Sequence, residues 1–140
     1  MTDPINLLNN AEELAPVPAT KEEATREAWV RHFCAQAMAA YAGAHHLMST
    51  SSPKEHGKQY GALVLMAVAS TSAALGLTTP PEDLPHRLWR FTPECGALNG
   101  EWEEWLADTL DRFGVNPADV DGRYDAAHFR SPSVRATVKS

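Results

Sequence analysis

The sequence predicts an all-α protein: a small helical bundle built on a long antiparallel helical hairpin, with a short N-terminal helix and a C-terminal amphipathic helix. Three observations favour this class. Apolar side chains recur at spacings of three and four, helix start signals precede both long segments, and strand-like alternation is weak throughout. At 140 residues the chain is long enough for one core. We divide it into an N-terminal arm (1–19), a helical domain (20–129) and a basic tail (130–140).

The N-terminal arm is predicted to contain a short helix over residues 2–14. Thr2 or Asp3 can cap this helix, and Pro4 falls in its first turn, where the missing N–H costs no hydrogen bond. Two prolines then make residues 15–18 a stiff, extended connector, because each proline disfavours helix in the residue before it. We expect the arm to lie on the domain or on a partner.

The first helix of the predicted hairpin spans residues 20–48. Thr20 and Glu23 have the spacing of a capping box, which marks a helix start. Charge is absent after Arg31, so the second half of this helix is expected to be buried. Within it, Cys34 is expected to be a small core residue, because burial raises the pKa of a thiol and protects it. The inward-facing residues are Ala28, Trp29, His32, Phe33, Gln36, Ala37, Ala40, Tyr41, Ala44 and Met48.

The second hairpin helix is predicted to run from Ser52 to about Leu75, with Gly76 as its terminator. Residues 61–77 carry no charge, and a helix that is apolar all round is either wrapped by protein or lies in lipid. Its span of about 26 Å falls short of a hydrocarbon core of roughly 30 Å. We therefore expect protein to cover it, in part from another subunit. The predicted interface residues on this helix are Leu65, Ala69 and Ala73.

A second predicted interface follows the hairpin, on a short helix that ends near Trp89. Arg87 and Arg90 flank this tryptophan, and partner interfaces favour tryptophan together with arginine. The alternative is that Trp89 belongs to a small satellite core under a long loop.

The C-terminal amphipathic helix is predicted over residues 100–113, with Asn99 as its cap. Gly114 followed by Val115 predicts a Schellman stop, and Asn116 can begin one more short turn. The buried stripe consists of Trp102, Trp105, Leu106, Thr109, Leu110 and Phe113. After residue 129 the composition is that of a tail whose charge is +3, from Arg130, Arg135 and Lys139, which makes it a candidate docking segment.

Four side chains at the predicted turn of the hairpin are candidate metal ligands: His45, His46, Glu55 and His56. Zinc needs three or four such ligands in a tetrahedron. Adjacent residues such as His45 and His46 project about 100° apart on a helix and do not easily face one ion. We therefore expect these histidines to be solvated or at an interface, and we expect no metal or cofactor.

Acidic residues are the other candidate for metal chemistry. Those on the first hairpin helix are Glu22, Glu23 and Glu27, and those on the last helix are Glu101, Glu104, Asp108 and Asp111. This pattern resembles the all-α nucleoside triphosphate pyrophosphohydrolases, and the resemblance implies a magnesium-dependent hydrolase. The chain departs from the family pattern, because Glu23 and Glu27 are four residues apart instead of three and the next helix offers only Glu55. A solvated helix face also produces such a pattern.

Composition and the absence of motifs argue against several classes of function. The net charge of −6 makes the body of the protein a poor nucleic-acid binder. Two cysteines are too few for a disulfide framework, and neither a signal-peptide pattern nor a common catalytic motif is found. We expect a non-enzymatic assembly or interaction subunit, a homo-oligomer or part of a larger assembly, encoded by a high-GC bacterium or its phage. It would reside in the cytoplasm or the virion. The alternatives are a metal-dependent hydrolase or metal-binding protein, and a membrane-associated hairpin.

Overall fold

The fold is all-α, as predicted, and the part of the chain that is described contains no strand. The computed structural model describes residues 4–50, 53–90 and 100–121. Predictions for Thr2, Asp3, Asn99 and the basic tail with Arg130, Arg135 and Lys139 lie outside these residues. The helices are α1 (Pro4–Leu14), α2 (Arg26–Thr50), α3 (Pro53–Thr78), α4 (Leu84–Arg90), α5 (Gly100–Arg112) and α6 (Pro117–Val120).

Helix α2 begins later than predicted, and the capping box at Thr20 forms a turn instead. The Glu23 N–H donates to the Thr20 hydroxyl (3.2 Å), which in turn donates to the Glu23 carboxylate (2.9 Å). The helix starts only at Arg26, where Thr25 accepts from the Ala28 N–H at 3.1 Å. Residues 20–25 are exposed, so an additional helical turn there would gain no burial to offset its ordering entropy.

Helix α3 ends later than predicted, because Gly76 lies within the helix and does not terminate it. The only glycine with a positive φ among the described residues is Gly114, so Gly76 has no left-handed cap geometry. The last turn continues through Thr78, whose hydroxyl donates to the Ala74 carbonyl at 3.0 Å. Two prolines follow at positions 80 and 81, and they end the helix because neither has an N–H to continue it.

The end of α5 is the predicted Schellman motif. Gly114 has a φ of 88°, its N–H donates to the Asp111 carbonyl at 3.2 Å, and the Val115 N–H donates to the Leu110 carbonyl at 2.9 Å. Val115 and Leu110 are both buried. The chain then turns into α6, where Asn116 caps the helix by accepting from the Ala118 N–H. The predicted stripe of α5 is confirmed for its described side chains, since Leu106, Thr109 and Leu110 are buried and Trp105 and Phe113 are half-buried.

The core is built around α2, which contacts α1, α3, α5 and α6. Two hydrogen bonds connect the C-terminal part of the chain to the first two helices. Arg31 of α2 donates to the Phe113 carbonyl at the end of α5 (3.4 Å), and Asn10 of α1 donates to the Asp119 carbonyl of α6 (2.7 Å). The N-terminal arm therefore lies on the domain, with Leu7 and Ala11 buried. The buried residues of α2 are Val30, His32, Cys34, Ala35, Ala37, Met38, Ala39, Ala40, Tyr41, Ala42, Gly43, Ala44 and Leu47.

Small side chains in α2 allow its neighbours to approach closely. At Gly43 an added Cβ would lie 3.0 Å from the Pro4 Cβ of α1 and 3.4 Å from Leu63 Cδ1 of α3. The distance to Pro4 is shorter than an ordinary van der Waals contact, and the distance to Leu63 is at the short end of that range. At Gly43, therefore, both flanking helices come close to the α2 backbone.

A valine at Gly43 is expected to destabilise the protein by about 1–3 kcal/mol, because its branched side chain overpacks the contact with Pro4 and Leu63. Gly57→Ala is the matched control, since an added Cβ there meets nothing within 4 Å. The free energy of unfolding of the control should rise by up to about 1 kcal/mol, because alanine has a higher helix propensity than glycine. Urea unfolding followed by circular dichroism measures the free energy of unfolding of both variants. Equal stability of the two variants would contradict the close approach at Gly43.

Candidate functional site

The most exposed large apolar side chain among the described residues is on α3. Leu65 is 71% exposed, and Ala62, Ala69 and Gly76 on the same helix are exposed as well. Together with the half-buried Ser72 they fall at successive spacings of three, four, three and four residues. We call this row, Ala62, Leu65, Ala69, Ser72 and Gly76, the outer seam. It forms a continuous stripe along the helix, because this spacing follows one face.

The opposite face of α3 packs in the core. Its buried residues are Leu63, Ala67, Ser70, Thr71, Ala74 and Leu75. Helix α3 was expected to be covered from all sides, and the described part of the chain covers this inner face only. Instead, α2 is the helix that other described helices surround. The outer seam is thus an apolar face without a cover among the described residues.

Hydroxyl groups on α3 bond back to their own helix. Thr71 donates to the Ala67 carbonyl at 2.7 Å, and Ser72 on the outer seam donates to the Val68 carbonyl at 2.8 Å. A hydroxyl that has found a backbone acceptor can be removed from water at low cost. The polar atoms of the seam therefore do not oppose its burial.

The predicted interface residues lie in different surroundings. Leu65 and Ala69 are on the outer seam, whereas Ala73 beside it is half-buried. Arg87 is half-buried on α4, and it lines an open cleft of about 410 Å³ with Asp83, His86 and Arg112. The side chains of Trp89 and Arg90 lie outside the described part. The structure therefore gathers Leu65 and Ala69 on one face and places Arg87 on another element.

The candidate metal ligands are described only in part. His45 is exposed with its ring centroid 4.7 Å from that of Tyr41, and His46 is half-buried. The side chains of Glu55 and His56 lie outside the described part. No group of three or more His, Cys, Asp or Glu side chains placed to hold a metal ion occurs in the described residues.

The acidic residues that suggested a magnesium site form no metal-holding group among the described side chains, which do not include that of Glu101. Glu23 lies in the turn before α2 and Glu27 lies within the helix, so the two do not share a helical face. On α5, Asp108 forms an ion pair with Arg112 at 3.3 Å, one turn later on the same helix. Asp108 thus has a cation as its partner, an arrangement typical of a solvated helix face.

Cys34 is a core residue, as predicted. Burial raises the pKa of its thiol to about 12 from an ordinary value of 9.0, and the positive charge of Arg112 acts in the opposite direction to a smaller extent. A thiol with this pKa is protonated at neutral pH and is a poor nucleophile. Cys34 is therefore unsuited to catalysis.

One site was missed by the sequence analysis: a partly enclosed cavity of about 250 Å³ under the N-terminal arm. It lies between α1, the connector, α2 and α3, and the buried His32 is part of its wall. The sequence placed His32 on the inward face of its helix but gave no sign of the cavity. The position of the arm depends on tertiary contacts, for which a local pattern carries no signal.

Residues Gly57–Thr78 are long and apolar enough to cross a membrane, judged by length and composition alone. About 33% of the most apolar window is buried within the protein, and the core helix of a soluble protein can meet the same criterion.

Comparison with known proteins gives no relative. No family model matches the chain, and neither the curated proteins nor the solved structures contain a significant match.

The Cys34 thiol is expected to resist modification in the folded protein. In a Cys95→Ser variant, which leaves Cys34 as the only thiol, its reaction with Ellman's reagent near pH 8 should be at least about 100-fold slower than in denaturing urea. Because the folded-state pKa is raised, the stability contributed by the neutral thiol is present below pH 9 and is lost as the pH rises towards about 12. Rapid native labelling would show that Cys34 is not buried.

Proposed function

We propose that this protein is a non-enzymatic α-helical interaction subunit and that the outer seam of α3 binds a second copy of the same chain. The observation that carries this proposal is the exposure of Leu65 in the middle of a charge-free helical face. Burying one such leucine completely is worth about 1.5–3 kcal/mol, and a symmetric dimer buries two.

The spacing of the seam supports a helix as its partner. Positions separated alternately by three and four residues are the a and d positions of a coiled-coil seam. Ala62, Ala69 and Gly76 occur at every seventh residue and have small side chains, so two helices can approach closely along the seam. At 26 residues, α3 is about 39 Å long, enough for an extended helix–helix contact.

Charges at the two ends of the seam support a second copy in the antiparallel direction. Lys58 lies eleven residues before Ala69, and Glu82 lies thirteen residues after it. Both are exposed. Glu82 lies in the turn just after α3, so in an antiparallel pair centred on Ala69 the Lys58 end of each helix would lie beside the Glu82 end of the other, whereas a parallel pair brings like charges together.

An antiparallel α2–α3 hairpin is the frame that we propose for this surface. Gly43 in the second half of α2 approaches Leu63 in the first half of α3, as such a hairpin requires. The hairpin holds α3 against α2 by its inner face and leaves the seam free for assembly. The bundle then acts as a rigid support for one interacting helix.

The experiment is sedimentation velocity of Ala69→Glu beside the native chain. The native protein should reach the mass of two 15.3 kDa chains at micromolar concentration. Ala69→Glu should raise the dissociation constant at least about 100-fold, since each dimer would bury two unpaired carboxylates. Its helix content should not change, because Ala69 is exposed in the single chain. Asn9→Asp, an exposed position on α1, is the control and should dimerise normally.

The pairing direction is tested in the same instrument. Lys58→Glu should weaken the dimer about 3- to 10-fold by placing like charges together, and adding Glu82→Lys should restore it. A native chain that sediments as a monomer would contradict the proposal. So would flotation of the native chain with lipid vesicles, which would assign the seam to a membrane. Unfolding of Ala69→Glu would show that Ala69 belongs to the core of its own chain.

A further inference from the structure

The cavity under the N-terminal arm has the composition of a small-molecule site. Its walls are mainly apolar, with Leu8 from α1, Val17 from the connector and Met66 from α3. Two polar side chains of α2, His32 and Gln36, also line the cavity and lie one turn apart on the same helical face. An apolar cavity with a few convergent polar groups is the usual form of a ligand pocket.

His32 is held in one orientation. Its Nδ1 atom lies 3.1 Å from the carbonyl oxygen of Ala15, and since a carbonyl only accepts, Nδ1 carries the proton in this bond. Trp29 and Phe33 pack against the ring, with centroids 6.1 and 5.3 Å away. In the neutral imidazole the remaining nitrogen, Nε2, is then an acceptor. The ring makes no other hydrogen bond within the described residues.

The volume sets the size of a ligand. A dry cavity of about 150 Å³ is enough to hold benzene, so about 250 Å³ holds a six-membered ring with one substituent. Glu12 also lines the cavity and is exposed to solvent. A carboxylate at this position opposes the entry of an anion.

We propose that this cavity binds a small, neutral and mostly apolar molecule through a hydroxyl group that donates a hydrogen bond to His32 Nε2. The Gln36 amide supplies a donor and an acceptor beside the same hydroxyl. The ligand contacts the arm, the connector, α2 and α3 at once, so binding would fasten the arm to the bundle. This site is independent of the outer seam, because none of its lining residues belongs to the seam.

The test uses phenol as the probe, toluene as an isosteric molecule without a donor, and benzoate as a charged one. Titration of the full chain is followed by the ¹⁵N signal of His32 Nε2 in long-range correlation spectra. Phenol should shift this signal saturably and bind about 5- to 10-fold more tightly than toluene, which is the expected effect of one hydrogen bond. Benzoate should not bind. Equal affinity for phenol and toluene, or no change at Nε2, would overturn the proposal.

A pair of variants locates the site. Leu8→Trp places a larger side chain in the cavity and should abolish phenol binding. Ile5→Trp makes the same change at a position of α1 that is 63% exposed and does not line the cavity, so it should bind phenol as the native chain does. Undiminished binding by a folded Leu8→Trp would also overturn the proposal. If Leu8→Trp does not fold, the phenol and toluene comparison on the native chain decides alone.

Discussion

Helix α2 holds the protein together, because the other long helices pack against it. Helices α1, α3, α5 and α6 all contact α2, and its central segment is buried on every side. The segment is rich in alanine, and small side chains bring the neighbouring backbones close, as they do at Gly43. One consequence concerns α3. It covers one side of α2 with its inner face, and the described chain has no further element that covers its outer face.

Both candidate sites follow from this arrangement. The outer seam exists because α3 has more apolar surface than α2 can bury. The hydroxyl of the seam, that of Ser72, is already hydrogen-bonded within the helix. The cavity lies where the N-terminal arm and its connector pass over α2. The Ala15 carbonyl of the connector is hydrogen-bonded to His32, and the space beside the His32 ring is not filled by the arm. Cys34 belongs to neither site: it lies in the core, where burial raises the pKa of its thiol to about 12 and keeps the thiol protonated.

Local signals in the sequence predicted much of the fold. The Schellman stop at Gly114 and the cap at Asn116 are short-range motifs, and the structure has both. The capping box at Thr20 is also local, yet the helix starts at Arg26 with Thr25 as its cap, because helix length depends on packing that six exposed residues cannot supply. The sequence also did not distinguish which long helix is surrounded. Apart from histidines, residues 32–50 of α2 and residues 59–78 of α3 carry no charged side chain, and the burial of each segment depends on which helices pack against it. The outer seam could be predicted in part, through Leu65 and Ala69, and the cavity could not.

Whether a second copy covers the outer seam is measured most directly by comparing the methyl groups of Leu65 and Ile5 in one sample. Leu65 and Ile5 are similarly exposed in the single chain, at 71% and 63%. A water-soluble paramagnetic agent should therefore relax their methyl protons equally unless something covers one of them. If a second copy covers the α3 face, the Leu65 methyls will be shielded relative to the Ile5 methyls, and the shielding will disappear on dilution. Equal relaxation at every protein concentration would contradict the account.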